Sequence, residues 1–422
     1  MKQFQIVRSL IRQCCSRPCF SGLGWSRDFT TLEQAAVEQS LGPDPSRLET
    51  KLSTSPGPSD KIKSGEVRWG TLFTNHMFEA EWHLEEASVL HYGLEVFEGL
   101  KAHRGTKDGK IRLFRPDKNI RRMAVSCARL GLATFDQQMM LECLRRYVMI
   151  ERDWVPHGRG TALYLRPTCI AIDPKLGVAR SKRNLFYIIA SPVGHYFQGG
   201  NCGVNLLATT KYFRSFPGGI GFCKTGANYA LGIVPSEEAS RLGCHQVLWL
   251  SDAKNRFVTE AGVMNFFVLF KGSKRPELVT APLDGTILDG VVRSSILDLV
   301  RSWGTIDVSE RKYSIDEVVQ GIVNGQVIEA FGSGTASIIT PVTGIHYQDK
   351  MYPINSETNK KITPQLLKSM QDIFYDLGIF YNERAFSQLT KRHILSSFER
   401  YFPYYPGGSF DFGMQPWFVV LL

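Results

Sequence analysis

The sequence predicts a two-domain protein of the α/β (α+β) class, and three observations support this prediction. The chain has 422 residues, which is more than a single hydrophobic core usually organises. Segments with strand character alternate with segments of helical periodicity in both halves. Between the halves lies "SPVGHYFQGGNCG", whose glycines and proline are typical of a connection between domains.

The first domain is predicted to span residues 67–194. It begins with a β-rich stretch at "VRWGTLFTNHMFEAEW". In "DKNIRRMAVSCARLGL" the apolar residues recur at the spacing of one helix face, and "DQQMMLECLRRYVMIERDW" predicts a second amphipathic helix. The strands "TALYLRPTCIAI" and "NLFYIIASPVG" complete an α+β unit.

After an interdomain loop at residues 195–204, a larger domain is predicted over residues 205–381. Its first elements are the strand "VNLLATT", a glycine loop with Lys224 and a helix. The segment "HQVLWLSDAKNRFVTEAGVMNFFVLF" predicts two strands around a D-A-K-N turn, with Thr259 to Met264 interrupting the second strand. A helix from about Val291 and the strand "QVIEAF" follow.

The terminal segments differ from both domains. Residues 1–29 carry five basic side chains, no acid before Asp28, and apolar residues in between. This composition is typical of a mitochondrial transit peptide, since the arginines interrupt the apolar run that a secretory signal needs. The predicted location is therefore the mitochondrial matrix. Residues 30–66 are predicted to form a linker, and residues 382–422 an aromatic and proline-rich tail that is poorly ordered or loosely packed.

Composition excludes several classes of function. Hydrophobic residues make up 43% of the chain and charged residues 21%, as in soluble globular proteins, and no apolar run is long enough for a membrane helix. Half of the net charge of +10 lies in the first 27 residues, so the charge does not indicate a nucleic-acid partner. No CxxC pair occurs among the cysteines beyond that segment, and neither a metal site nor a disulfide framework is predicted.

Lys224 lies in "GGIGFCKTGANYALG", which superficially resembles a phosphate-binding loop. That loop requires G-x-x-x-x-G-K-[ST], and Cys223 stands at the position of the second glycine. The glycine allows the backbone to turn tightly around a phosphate, so the nucleotide interpretation is poor. Two alternatives remain, namely an exposed lysine in a glycine-rich turn or a lysine that forms a Schiff base with a carbonyl.

Other segments supply what pyridoxal phosphate chemistry requires besides a lysine, namely an anion site and a group opposite the pyridine nitrogen. In "TILDGVVRSSILDLV" a predicted helix begins at Val291 and Val292, and Thr335 follows a strand in "FGSGTA". Glu260 interrupts an apolar strand. It is either a buried carboxylate with a cationic partner or a residue of an exposed bulge, and the sequence leaves both alternatives open.

Eight segments occur in an order that resembles the branched-chain amino acid aminotransferases of class IV, which are fold type IV pyridoxal phosphate enzymes. They are "LHYGLEVFEGLKAHRG", "LFRPDKNIRRM", "LYLRP", "LGVARSKRNLFYIIASPVGHYF", "KTGANYA", "GCHQVLWL", "TEAGVMNFFV" and "FGSGTA". The resemblance covers about residues 67–375 and, with the transit-like start, favours the mitochondrial type. It implies a small α+β domain, a larger β-barrel-like domain with flanking helices, and a homodimer.

The resemblance also implies a reaction and a set of site residues. The amino group of leucine, isoleucine or valine passes to 2-oxoglutarate through pyridoxal 5'-phosphate, giving branched-chain 2-oxo acids and glutamate, without metal, nucleic acid or membrane. Lys224 matches the Schiff-base lysine, and Glu260 matches the partner of the ring nitrogen. The other cofactor-binding positions are Arg122, Tyr229, Val291, Val292 and Thr335. The substrate-binding positions are Tyr92, Phe97, Tyr164, Arg166, Tyr196 and Ala336.

The sequence departs from the family pattern at several positions. Only "HLEE" separates "FEAEW" from "ASVLHYG", where the family carries a longer segment. Val263 replaces a threonine, Asp289 replaces a proline, and the CxxC that mammalian members carry after "GTA" is missing. Two alternatives follow, namely another fold type IV aminotransferase that acts on D-amino acids, or an inactive, truncated paralogue.

Overall fold

The computed structural model describes residues 72–74, 76–83, 88–173, 176–194, 203–254, 256–354, 362–376 and 418–421. The predicted transit peptide and linker lie outside these ranges, as do Tyr196 and most of the interdomain loop and of the tail. The predicted domain boundaries therefore remain a prediction. Within the described ranges the chain forms two sheets. One is made of strands before residue 194 together with residues 418–421, and the other is made of strands between residues 203 and 354.

The first sheet has seven strands. They are β1 (Phe78–His83), β2 (Glu95–Phe97), β3 (Leu100–Arg104), β4 (Ile111–Phe114), β5 (Ala162–Ala171), β6 (Arg183–Val193) and β16 (Phe418–Leu421). The order is β1-β6-β5-β3-β4-β16, and β2 also pairs with β5. The strand β16 belongs to the tail and pairs antiparallel with β4, with Phe418 opposite Phe114. These four residues of the tail form an edge strand of the sheet, whereas the sequence predicted a poorly ordered or loosely packed extension.

Four helical elements accompany this sheet, and the two longer ones lie where the periodicity predicted amphipathic helices. The four short or amphipathic elements are α1 (Val89–Tyr92), α2 (Pro116–Leu130), α3 (Gln137–Ile150) and a 3-10 turn at Arg152–Trp154. Helix α2 begins with proline at its first turn and ends at Gly131, which has φ 69°. Its buried face includes Ile120, Met123 and Cys127, at the i, i+3, i+7 spacing of one helix face.

The second sheet has nine strands. They are β7 (Val204–Ala208), β8 (Gln246–Ser251), β9 (Phe257–Ala261), β10 (Met264–Phe270), β11 (Glu277–Thr280), β12 (Asp307–Glu310), β13 (Val327–Gly334), β14 (Ile338–Tyr347) and β15 (Lys350–Pro353). The order is β12-β11-β10-β13-β14-β7-β8-β9, and β9 also pairs with β10. The path from β10 through β13, β14, β7, β8 and β9 therefore returns to β10. This closure confirms the predicted β-barrel-like character.

Five helices flank the barrel sheet. They are α4 (Ala227–Ala230), α5 (Ile233–Arg241), α6 (Val291–Trp303), α7 (Ile315–Val323) and α8 (Ile362–Asp376). The Ser314 side chain caps α7 by accepting a hydrogen bond from the Glu317 amide. The N-cap residue of α6 is Gly290, and within the described part of the chain no side-chain cap of this kind is found there. The first amides of α6 are therefore available to another acceptor.

The segment around Glu260 corrects one prediction. Instead of one interrupted strand, residues 257–270 form two antiparallel strands, with Met264 opposite Ala261 and Asn265 opposite Glu260. Gly262 and Val263 make the turn, and Gly262 has φ 59°. Glu260 consequently lies within β9 and is only 3% exposed. The exposed-bulge alternative is wrong.

Several further features of the described residues bear on function. No helix among them is both long and apolar enough to cross a membrane. Within the same ranges, no group of three or more metal-ligating side chains occurs. The five described cysteines of the two domains are free and buried, namely Cys127, Cys143, Cys169, Cys223 and Cys244.

Candidate active site

Lys224 lies between the two sheets with its amine against aromatic side chains. Its Nζ donates to the hydroxyl of Tyr229 at 2.6 Å. The same atom lies 4.7 Å from the ring centroid of Phe97 and 4.8 Å from that of Tyr229. Phe97 belongs to β2 of the first sheet, whereas Tyr229 lies in α4 beside the lysine loop. Three of the predicted site residues therefore meet at one amine.

The backbone around Lys224 is fixed by the first sheet and its helix. The Lys224 amide donates to Ser126 Oγ at 3.1 Å, and the Lys224 carbonyl accepts from the Phe97 amide at 2.9 Å. The Gly226 amide donates to Glu95 Oε1 at 2.7 Å. A Cβ at Gly226 would overlap that carboxylate oxygen. A larger residue at position 226 would therefore displace the end of the Glu95 side chain from this hydrogen bond.

Glu260 is a buried carboxylate with three donors. Arg214 Nη1 lies 2.7 Å from Oε2, while Asn265 Nδ2 and the Leu288 amide each donate to Oε1 at 3.2 Å. Burial raises the pKa of Glu260, and the charges of Arg214, Lys224 and Arg122 act in the opposite direction. A carboxylate offers about four lone-pair positions. Among the described residues three donors use it, which leaves room for one more.

Arg122 forms a two-point ion pair with Glu98. Its Nε and Nη2 each lie 2.7 Å from a Glu98 oxygen, and its Nη1 donates to the Asp289 carbonyl at 2.8 Å. Asn119 Nδ2 also donates to Glu98, at 2.8 Å. Burial alone would raise the pKa of Glu98, but the Arg122 charge and hydrogen bonds outweigh it and hold that pKa below its ordinary value. Arg122 is thus oriented by a carboxylate that is 0% exposed.

The predicted phosphate positions lie at a helix start and a turn. Val291 and Val292 open helix α6, which follows the Asp289 carbonyl that Arg122 contacts. Thr335 begins the turn between β13 and β14. Asp289, which replaces the family's proline, is exposed. An uncapped helix start next to an arginine is a suitable site for an anion.

Tyr164 and Arg166, two of the predicted substrate residues, form a small cluster with Phe97. Arg166 Nη2 donates to the Tyr164 hydroxyl at 2.9 Å. The guanidinium lies 4.8 Å from the Phe97 ring centroid and 5.2 Å from the Tyr164 centroid. Arg166 Nε is buried and has no hydrogen-bond partner among the described residues. Because Phe97 also contacts Lys224, this cluster adjoins the lysine amine.

The remaining predicted substrate residues have separate environments. The Ala336 carbonyl accepts from Lys101 Nζ at 2.8 Å, which joins strand β3 to the β13–β14 turn. Burial lowers the pKa of Lys101 to about 7. The Tyr92 hydroxyl donates to the Leu176 carbonyl, so this polar contact does not involve Lys224 or Tyr229. Tyr196 lies outside the described residues.

Comparison with known proteins identifies the family. The model of the amino-transferase class IV family matches residues 95–345. The cytosolic branched-chain-amino-acid aminotransferase of Ovis aries is 41% identical over 347 residues, which cover 77% of this chain and 88% of the sheep protein. The mitochondrial form of Bos taurus is 42% identical over 332 residues, covering 74% of this chain and 82% of the bovine protein. The chain belongs to the class IV aminotransferases, in their branched-chain group.

Solved structures of class IV aminotransferases show the same fold. The branched-chain amino acid aminotransferase of Escherichia coli superposes with a TM-score of 0.59 at 22% identity, covering 70% of this chain and 91% of the bacterial chain. The enzyme of Thermoproteus uzoniensis superposes with a TM-score of 0.57 at 23% identity, covering 68% of this chain and 88% of that chain. The fold type IV prediction is confirmed.

Three contacting groups in this aminotransferase site were missed by sequence reasoning. Arg214 supplies the cation beside Glu260, Glu98 holds Arg122, and Lys101 contacts Ala336. A signal for Arg214 was present, because a buried carboxylate on an apolar strand requires a cationic partner and an arginine precedes the lysine loop in "YFRSFPGG". Glu98 and Lys101 lie within "FEGLK" and carried no pattern of their own.

Proposed function

We propose that this chain is a branched-chain amino acid aminotransferase that uses pyridoxal 5'-phosphate. It transfers the amino group of L-leucine, L-isoleucine or L-valine to 2-oxoglutarate. The observation that carries the proposal is the position of the Lys224 amine. It lies against Tyr229 and Phe97, and its charge acts on the buried carboxylates Glu98 and Glu260.

The residues present fit this cofactor. Lys224 offers an amine for the aldehyde, and Tyr229 offers a hydroxyl 2.6 Å from that amine. Glu260 has an acceptor position left for a ring N–H, and the uncapped start of α6 with Arg122 suits a phosphate. When bound, pyridoxal phosphate would supply a carbonyl that condenses with amines and a ring that takes up the electron pair left on the α-carbon when the α-proton is removed.

Each residue then has a defined task. The Lys224 amine removes the proton from the α-carbon of the substrate, first as a base and then, once protonated, as an acid. Tyr229 orients that amine through its hydroxyl. Glu260 stabilises positive charge on the ring nitrogen, and Arg122 with the amides of Val291 and Val292 holds the phosphate. Thr335 contributes a hydroxyl to the same phosphate.

One pocket has to accept both an aliphatic chain and the second carboxylate of 2-oxoglutarate. The rings of Phe97 and Tyr164 supply apolar surface, and Tyr92, Tyr196 and the Ala336 amide complete the proposed substrate site. Arg166 lies over both rings and keeps an unpaired Nε donor among the described residues. A buried guanidinium with an unused N–H suits a carboxylate, whereas the ring faces suit leucine.

A spectroscopic and kinetic experiment tests this function. Purified full-length protein is expected to bind pyridoxal phosphate with a visible absorbance that disappears in Lys224→Ala, and to form glutamate from 2-oxoglutarate only when leucine is present. Circular dichroism of Lys224→Ala checks that it remains folded. Cofactor binding without turnover would favour an inactive paralogue, and turnover of D-alanine but not L-leucine would favour a D-amino acid enzyme.

Location and assembly are further parts of the proposal. The basic, amphipathic residues 1–29 support import into the mitochondrial matrix, and relatives at similar identity include both mitochondrial and cytosolic forms. A fluorescent fusion with and without residues 1–29 tests the import. A homodimer is supported by exposed apolar side chains near the lysine loop, namely Phe213, Phe216, Ile233 and Val234. Light scattering that gives a monomer mass would contradict the dimer.

A further inference from the structure

Arg214 contacts both Glu260 and the loop that carries Lys224. Its Nη1 lies 2.7 Å from Glu260 Oε2, and both side chains are 4% exposed. The same nitrogen donates to the Gly221 carbonyl at 3.3 Å. Gly221 stands three residues before Lys224. Arg214 therefore joins the carboxylate on strand β9 to the loop that carries the lysine.

The surrounding backbone holds Arg214 in this position. Ser215 Oγ donates to the Thr286 carbonyl at 2.5 Å. A Cβ at Gly221 would lie 2.6 Å from both the Ser215 Cβ and the Thr286 carbonyl oxygen, which is too close for any other residue. Thr286 is two residues before Leu288, whose amide donates to Glu260. The loop and the Glu260 donors thus form one packed unit.

The electrostatic effect of Arg214 on Glu260 opposes the effect of burial. Burial favours the neutral carboxyl and raises the pKa of Glu260, while the Arg214 charge lowers it. The other two donors, Asn265 Nδ2 and the Leu288 amide, are uncharged and lie at 3.2 Å. Arg214 is therefore the charged group in direct contact that favours the ionised carboxylate.

We propose that Arg214 is a positioning residue that keeps Glu260 ionised and oriented, so that the proton shared between Glu260 and the cofactor resides on the ring nitrogen. The inference deepens the proposed function and rests on it. Arg214 is in contact with the Glu260 carboxylate, whereas the ring nitrogen would lie on the far side of that carboxylate. Because the Coulomb energy falls with distance, the arginine stabilises the negative charge of Glu260 more than it repels a positive charge on the ring nitrogen. Removing the cation moves the shared proton from the ring toward Glu260.

Two substitutions separate charge from shape. Arg214→Gln removes the charge but keeps N–H donors for Gly221, whereas Arg214→Lys keeps the charge on a different shape. A control is Arg112→Met, which removes another buried arginine. Its Nη1 lies 2.9 Å from Asp108 Oδ1, and the Asp108 side chain is 39% exposed. Arg112 lies on β4 and has no part in the proposed reaction. All variants are made in the full chain, and circular dichroism checks their folding.

The readout is the 15N chemical shift of ring-labelled pyridoxal phosphate bound to the protein, together with its dissociation constant. In R214Q we expect the 15N shift to move toward that of an unprotonated pyridine. A rise of about one unit in the pKa of Glu260 corresponds to a roughly tenfold rise in the dissociation constant of the cofactor. In R214K and R112M the ring shift is expected to match the wild type. A wild-type ring shift in R214Q, or equal changes in R214Q and R214K, would overturn the role of the charge.

A second measurement uses the cofactor-free protein and does not depend on the proposed function. Glu260→Gln leaves Arg214 buried without an anion, so the double variant R214Q/E260Q is expected to unfold at a higher temperature than E260Q. A double variant less stable than E260Q would contradict the ion pair. If the wild type binds no pyridoxal phosphate, the proposed function fails and this role fails with it. If the wild type binds pyridoxal phosphate normally and the ring shift is unchanged in R214Q, only the proposed role of Arg214 is refuted, and the proposed function stands.

Discussion

Glu98 holds Arg122 in a buried ion pair, and its replacement by glutamine tests how much this pair contributes to stability. The carboxylate is 0% exposed and meets Arg122 Nε and Nη2 at 2.7 Å each. Glutamine keeps the size of the side chain but leaves Arg122 without an opposite charge. Removing one partner of a buried pair typically costs about 3–5 kcal/mol of unfolding free energy.

The structure places the expected cost at the lower end of that range. The Arg122 side chain is 10% exposed, so water partly relieves its unpaired charge, and the glutamine oxygen can still accept from Asn119. We expect a loss of about 3 kcal/mol. With an unfolding entropy of about 2.1 cal/mol/K per residue over 422 residues, this lowers the unfolding temperature by roughly 3–4 °C. Differential scanning calorimetry of the cofactor-free protein measures both quantities.

A matched control separates burial from the loss of a carboxylate in general. Glu142 pairs with Arg145 and Arg146 on the surface of helix α3 and is 33% exposed. Because surface pairs contribute about 0–1 kcal/mol, Glu142→Gln is expected to leave the unfolding temperature nearly unchanged. If Glu98→Gln were no more destabilising than Glu142→Gln, the reasoning from burial would be refuted. With pyridoxal phosphate present the deficit of Glu98→Gln should shrink, since the phosphate offers Arg122 a new anion.

Three further substitutions test other contacts of the site. Burial lowers the pKa of Lys101 to about 7 in the folded protein, so between about pH 7 and 10.4 this amine is protonated in the unfolded chain but neutral in the folded one. The free energy of unfolding should therefore rise with pH over this range. Lys101→Met should flatten the rise, as measured by denaturant titrations at several pH values. Gly226→Ala would place its Cβ against the Glu95 carboxylate and break the hydrogen bond from the residue 226 amide that holds the lysine loop. The absorbance of the bound cofactor should therefore fall, while Gly177→Ala, whose Cβ meets open space, should leave it unchanged. In Gly290→Ala the new Cβ would overlap Asn265 Oδ1 and shift the start of α6. Binding of pyridoxal phosphate, measured by titration calorimetry, should therefore weaken. Unchanged binding would contradict a role for the start of α6 in holding the phosphate.

The local elements could be predicted from the sequence because their signals are local. The face of helix α2 with Ile120 and Cys127 follows directly from spacing, and the strands "TALYLRPTCIAI" and "NLFYIIASPVG" coincide with β5 and β6 to within two residues at each end. Strand pairing is not local. The closure of the barrel through β9 and β10 depends on a turn at Gly262 and Val263 that periodicity alone does not distinguish from an interruption.

The same distinction between local signals and long-range contacts applies to the site residues. Lys224, Tyr229 and Phe97 lie on matched family segments, and the structure brings them into contact. The partners Glu98 and Arg214 are contacts between residues far apart in the chain, since Glu98 is 24 residues from Arg122 and Arg214 is 46 residues from Glu260. No motif spacing indicates such pairs, and only the folded geometry reveals them.

The two buried pairs explain how the site can hold anions although it contains two buried carboxylates. Glu98 is matched by Arg122, and Glu260 is matched by Arg214, so each carboxylate is neutralised where it stands. The amine of Lys224 and the start of α6 add positive and partial positive charge to this balance. Both favour negative charge. An anionic cofactor therefore meets a positive field from these groups, and Arg122, whose Nη1 donates to the Asp289 carbonyl just before α6, lies beside the proposed phosphate position.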